Sequence, residues 1–344
     1  MRRLLNSLYI FTEDAYLTLD GENVVAKKDG AEVGRVPLHT LEGIHTFSYA
    51  GASPALMGKC AEQGISLAFY TPRGRFLADV GGAARGNVYL RRAQYEVSAA
   101  QGEASLSIAK NFIMAKIFNS RWILERACRD HEMRVDAPKL KAASGRLANS
   151  IDAVRACDSL DALRGIEGDA AAVYFSAFPE LVLRDKEAFA FSCRVRRPPT
   201  DAVNSMLSFF YTVLANDCAS ALNGVGFDPY VGFLHVDRPG RKSLALDCME
   251  ELRPVFVDRF VLTAINNRVV TPSDFEQRET GEVLIADSGR KALFKLWQTR
   301  KKETITHPFL KEKMPRGMVP FVQAQLLAKC LRGDFDGYPP YFWK

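Results

Sequence analysis

The hydrophobic period of this 344-residue chain changes once, near residue 86, and the change limits what each part can fold into. Ahead of it, short extended runs are separated by turn dipeptides. Tyr16 to Leu19 leads into Asp20-Gly21, Asn23 to Lys28 leads into Asp29-Gly30, and the pattern resumes at Glu32 to Pro37 and Leu41 to Phe47. Asp-Gly between extended runs is a hairpin signal, because both residues tolerate the positive φ of tight hairpin turns. One short helix interrupts the strands over Ser53 to Gln63: Ser53 caps it, Pro54 takes its first position, and Gly64 ends it. Ile65 to Tyr70 and Arg75 to Val80 complete a small β-rich domain over residues 1–80. Gly81, Gly82 and Gly86 mark a linker over 81–86.

From Asn87 the period is helical. Leu106, Ile108, Phe112, Ile113, Ile117, Ile123 and Leu124 form an apolar stripe between residues 101 and 128. Asp158 or Ser159 can cap a helix that runs to about Phe178, where Pro179 ends it. Asp201 or a neighbour starts the next, and Ser243 to Arg268 reads as a helix with Pro254 as a kink or break. The fold class is therefore α+β: a small N-terminal β-sheet domain followed by a larger all-α domain over 87–344. A chain of this length exceeds one ordinary core, which agrees with two domains.

Net charge is +6 with pI near 8.9, which permits a nucleic-acid partner without demanding one. The seven cysteines are scattered singly with no CxxC pair, so a zinc ribbon is unsupported and reduced thiols in a cytoplasm are expected. No apolar run approaches the roughly 20 residues of a membrane span, and Asn6, Ser7, Glu13 and Asp14 argue against a signal peptide.

Four residues stand out chemically. Asp247 and Glu250 are three apart, hence on one helical face, and two carboxylates that close repel unless a cation lies between them. Asp-x-x-Glu is also a common helix start, so a capping box is the alternative. His235 ends the run Gly232-Phe233-Leu234 after a glycine-rich approach; it is a metal ligand or a structural, hydrogen-bonded histidine. Glu167 lies between Gly165 and Gly168. Glycine inside a helix costs about 1 kcal/mol relative to alanine, and the small residues would let another helix cross closely there.

These motifs together resemble the CRISPR-associated adaptation integrase, the CRISPR-associated protein one family. The family's Gly-x-Glu-Gly helix is matched by Gly165 to Phe175. Its Gly-x-Asp-Pro and Gly-Phe-Leu-His run is matched by Gly226 to His235, and its Leu-x-Leu-Asp-x-Met-Glu-Glu-x-Arg-Pro segment by Leu244 to Pro254. Weaker matches are Asn87, Leu90, Arg91 and Gln94, then Lys116 and Asn119, then Arg197 to Asn204. His307 to Phe309, Gln323 and Tyr338 to Pro340 look like the form found with type I-C systems.

The resemblance implies that Glu167, His235 and Glu250 hold a divalent metal, Mg2+ or Mn2+, with Asp247 in support. Some relatives carry aspartate where this chain has Glu250. The implied reaction is phosphoryl transfer on DNA: a 3′-hydroxyl joins a spacer fragment to a repeat strand, or water makes the site an endonuclease. His235 could ligate the metal or relay a proton. Arg197, Arg241 and Lys242 could hold backbone phosphates of double-stranded DNA, or be ordinary surface charges. A homodimer built through the sheet domain and the small CRISPR-associated protein two are implied partners, and no membrane. The competing readings are a metal-dependent repair nuclease on branched DNA or RNA, and a non-catalytic DNA-binding scaffold.

Overall fold

Strand pairing begins where alternation and turn chemistry agree. The computed structural model describes residues 7–41, 43–72, 76–80 and 88–344. Strands β1 (Ser7–Ile10), β2 (Tyr16–Asp20), β3 (Asn23–Lys28), β4 (Ala31–Pro37) and β5 (Gly43–Thr46) precede helix α1 (Pro54–Gln63), then β6 (Ser66–Tyr70) and β7 (Phe76–Val80). β2, β3 and β4 form an antiparallel meander whose turns fall at the expected dipeptides; Gly21, Asp29 and Gly30 all take positive φ. A second sheet has the order β1-β5-β6-β7, with β5 and β6 parallel and α1 as their crossover. The Ser53 hydroxyl accepts from Leu56 N–H, and Gly64 closes α1 in the left-handed region. Leu17, Leu38, Ile44, Leu56 and Leu67 are fully buried among these elements. The linker residues and Asn87 lie outside the described residues.

The helical part runs α2 (Val88–Ala100), α3 (Glu103–Asp130), α4 (Ala137–Ala156), α5 (Leu160–Ala177), α6 (Ala202–Val225), α7 (Ser243–Glu250) and α8 (Arg259–Asn266). Ser159 and Asp201 cap α5 and α6 through their side chains, as the sequence suggests. Between α7 and α8 the backbone widens to a π-helical stretch over Arg253–Asp258. Pro254 causes it: the ring removes one N–H and crowds the carbonyl four residues back. The helical part is not all-α, because β8 (Phe275–Gln277) and β9 (Val283–Ile285) pair as a short hairpin.

The chain divides into two compact units. One comprises residues 1–85, 286–305 and 314–318; the other comprises 86–285, 306–313 and 319–344. Helix α9 (Asp287–Lys302), which the sequence boundaries put with the helical domain, belongs to the first unit. Its Gly289, Leu293, Phe294, Trp297 and Lys301 are buried at helical spacing, and Phe294 packs on Tyr9 and Phe47 at 4.6 and 5.2 Å between ring centres. Helix α10 (Val319–Leu331) returns to the second unit and packs on α6.

Candidate active site

Glu167 sits near the middle of α5, half-buried, between two glycines that do not serve the close helix crossing expected of them. A Cβ at Gly165 or Gly168 would meet nothing within 4 Å, and both positions are exposed. The buried face of α5 is Leu163, Ala170, Val173, Tyr174 and Ala177 instead. The glycines leave the backbone on either side of Glu167 uncovered, with the carboxylate turned to α3.

There it meets Lys116. The ammonium contacts Glu167 Oε1 and lies 2.7 Å from Glu250 Oε2, so one cation bridges the two carboxylates. Arg253 Nη2 lies 3.1 Å from Glu250 Oε1, and its guanidinium lies over the Tyr211 ring at 4.9 Å. Burial pushes the Glu250 carboxyl upward, but the charges of Arg253, Lys116 and His235 outweigh it and hold the group below the ordinary carboxylate range.

The third group arrives on the loop after α6. Gly226 ends α6 at φ +104°, and the following residues are laced down by side chains from α2, α5 and α7, with Ser105 of α3 donating to Phe233 O. Gln94 donates to Asp228 and Val231 carbonyls at 2.7 Å each and accepts Asp228 N–H at 3.0 Å. Ser98 donates to Gly232 O, and Arg164 donates to Leu234 O. Asp247, fully buried, accepts the N–H groups of Phe233, Leu234 and His235 at 2.7, 2.9 and 3.1 Å. The same carboxylate engages His235 Nδ1 at 2.5 Å, which turns Nε2 to within 3.9 Å of Glu250 Oε1. A Cβ on Gly232 would stand 2.7 Å from Asp247 Oδ2, so only glycine allows this approach.

The capping-box alternative for Asp247 and Glu250 fails. α7 starts at Ser243, with Lys242 at its N-cap position and no side-chain cap, because the Leu244-Ala245-Leu246 run is already its first turns. Asp247 is mid-helix and binds a different segment.

A comparison with known families agrees with these motifs. The family model described as CRISPR associated protein Cas1 matches residues 8–299. The chain belongs to the CRISPR associated protein Cas1 family. It is 49% identical over 348 residues to "CRISPR-associated endonuclease Cas1 2" of Rhodospirillum rubrum, covering 100% of both chains. Its fold is shared with a casposase bound to integration product (22% identity, TM-score 0.81, covering 100% of this chain and 95% of that one). It is shared too with a chain of a Cas6-RT-Cas1–Cas2 complex (23% identity, TM-score 0.80, covering 100% of this chain and 36% of that one).

In this Cas1-family chain the three neighbouring acids of α7 and its end divide their tasks. Glu251, fully buried, points away from Glu250 to the segment Tyr338 to Trp343. It accepts the Tyr338 hydroxyl, Tyr341 N–H at 2.7 Å and the Gln323 amide at 3.0 Å. Asn119, one turn along α3 from Lys116, donates to Glu251 O and Tyr341 O and accepts Trp343 N–H. The Trp343 ring lies against Arg126 and Arg259, each 4.1 Å from its centre. Burial pushes the Glu251 carboxyl up to about 7, against the pull of those three hydrogen bonds. Because the folded protein then holds this proton more tightly than the unfolded chain, its stabilising effect is full below about pH 4.5 and is lost as pH rises to about 7. The loss is on the order of 3 kcal/mol, at about 1.4 kcal/mol per pH unit. In urea unfolding at pH 5 and pH 8, Glu251→Gln should lack this step, so its deficit against wild type should shrink at pH 8. A deficit equal at both values would refute the assignment.

Of the basic residues singled out in sequence, Arg197 is exposed, and Arg241 and Lys242 sit half-buried at the start of α7. The cations beside Glu167 are others: Lys116, Arg194, Arg196 and Arg253 line a small cavity of about 30 Å³ with Tyr211 and Asp258. The sequence motifs contain both Lys116 and Arg253 but assign neither a role at the site. The available signal for Lys116 was its place among Ala115, Ile117 and Ile113 on a buried helix. Among the described residues, no three His, Cys, Asp or Glu form a ready metal-holding group, and the Lys116 ammonium stands between Glu167 and Glu250.

Proposed function

We propose that this chain is the integrase of CRISPR spacer acquisition, and that Glu167, His235 and Glu250 form its reacting centre. The chain is an enzyme of a family whose close relatives are named endonucleases. The observation that carries the assignment of the site is the meeting of the Glu167 and Glu250 carboxylates around one cation, with His235 Nε2 beside them.

The donor set fits a divalent metal in kind. Two carboxylates already share a cation, and the imidazole is held by a carboxylate at Nδ1 so that Nε2 faces inward, the usual support for a ligating histidine. Oxygen donors with one nitrogen suit Mg2+ or Mn2+. When bound, such an ion supplies charge neutralisation at a scissile phosphate. The residues of this chain do the rest. Asp247 fixes the imidazole, Arg253 keeps Glu250 ionised, and the uncovered backbone at Gly165 and Gly168 leaves room for a duplex to approach Glu167. Arg197, Arg241 and Lys242 would hold phosphates farther out.

The finer reading has the sheet unit dimerising, the helical unit catalysing, the small protein Cas2 as partner, a type I-C context and a cytoplasmic location. Among the described residues no helix is long and apolar enough to cross a membrane. The test is a fragment with free 3′-hydroxyls, a repeat-bearing plasmid and Cas2, with Mg2+, Mn2+ or chelator. Joined product that depends on the ion is expected. Cleavage without joining would favour a repair nuclease, and neither would favour the scaffold.

A further inference from the structure

Lys116 approaches the two acids as a metal ion would. Its ammonium touches Glu167 Oε1 and lies 2.7 Å from Glu250 Oε2, with the side chain 12% exposed. Oxygen ligands stand about 2.0–2.6 Å from Mg2+ or Ca2+ ions. The ammonium nitrogen is therefore at nearly the point an ion shared by these two oxygens would take, and both cannot be there together. Two carboxylates this close and this sheltered also need a positive charge, because like charges repel strongly away from water.

We propose that Lys116 is a positioning residue that serves as the resident cation of the site: it keeps Glu167 and Glu250 together until a divalent cation binds, and then gives way to it. The inference rests on the reading of Glu167 and Glu250 as the metal-binding acids. Lys116 has somewhere to go. It lines a small cavity of about 30 Å³ shared with Tyr211 and Asp258, room for one water-sized group, and its four side-chain torsions let the ammonium swing there without moving α3. Arg253 cannot replace it in this role. Among the described residues that guanidinium pairs with Glu250 and not with Glu167, and it lies half-buried over the Tyr211 ring. Lys116 therefore preorganises the acids and competes with the metal, and the two effects have opposite signs on metal affinity. With Arg253 and Asp247 fixing the surroundings, competition dominates.

The experiment is Mn2+ titration of the full chain by calorimetry, with wild type, Lys116→Met and Lys116→Arg, alongside thermal unfolding with and without Mn2+. Lys116→Met should bind Mn2+ at least about tenfold more tightly than wild type. It should unfold at lower temperature without the ion and recover with it. Lys116→Arg keeps the charge and should show no gain in affinity. A Lys116→Met protein that folds only once Mn2+ is added would support the role. Equal or weaker binding by Lys116→Met, or equal stability without metal, would overturn it while leaving the metal site standing. No Mn2+ binding by wild type and variant alike would overturn both readings.

Discussion

Glu167→Ala is expected to reduce strand joining by at least about a thousandfold while leaving DNA binding within a few-fold of wild type. The size follows from the role. Stabilising charge at a phosphoryl centre is a matter of several kcal/mol, and each 1.36 kcal/mol is about tenfold in rate. Binding should persist because backbone phosphates are held by many separate cations, none of which Glu167 supplies. Folding should persist as well. Glu167 is half-buried, and Lys116 keeps its second partner, Glu250, when the first is removed. The measurements are product joined to a repeat-bearing plasmid, a gel-shift titration and a melting curve on one preparation. Wild-type joining by the variant would end the assignment of Glu167. Joint loss of joining, binding and folding would reduce it to a structural role.

What the sequence disclosed and what it concealed follow from the range of the interactions. Caps and turns are local, so Ser53, Gly64, Ser159, Asp201 and the Asp-Gly turn at 29–30 are readable from a few residues, and the structure agrees. The motif residues were legible because they recur in a recognisable order. The capping-box alternative arose from the same local reasoning, and it fails because the Asp247 partners are 12 to 14 residues back in the chain. The glycines beside Glu167 carry a cost in a helix that the sequence alone leaves unexplained, yet the space they leave faces outward. Three features have no local signature. The return of α9 to the first unit depends on Phe294 meeting Tyr9 and Phe47 across nearly the whole chain. Lys116 bridges residues 51 and 134 positions away, and Glu251 holds a segment some 90 residues on. Helical periodicity says which face is buried, never which distant charge will be opposite.

Asp247→Ala should do more harm to the fold than any change at Glu167 or Glu250. Its carboxylate accepts three consecutive backbone N–H groups and the His235 ring, all in a buried setting. Removing it strands those donors at a cost of about 1–3 kcal/mol each if the loop stays in place. The loop will release instead, so the net loss should be roughly 3–5 kcal/mol. Lacing by Gln94 and Ser98 limits the damage to Phe233 to His235 and keeps the rest of the loop attached. Asp247→Asn retains one acceptor oxygen and should cost less, yet it should still impair joining, because an amide cannot orient and support the imidazole as a carboxylate does. Hydrogen exchange separates the local effect from general destabilisation. In wild type the amides of Phe233, Leu234 and His235 should be protected; in Asp247→Ala they should exchange fast while α3 and α6 stay protected under conditions that favour the folded state. Protection of those three amides undiminished in Asp247→Ala would mean that something else holds the loop, and that His235 is presented by a device other than this carboxylate.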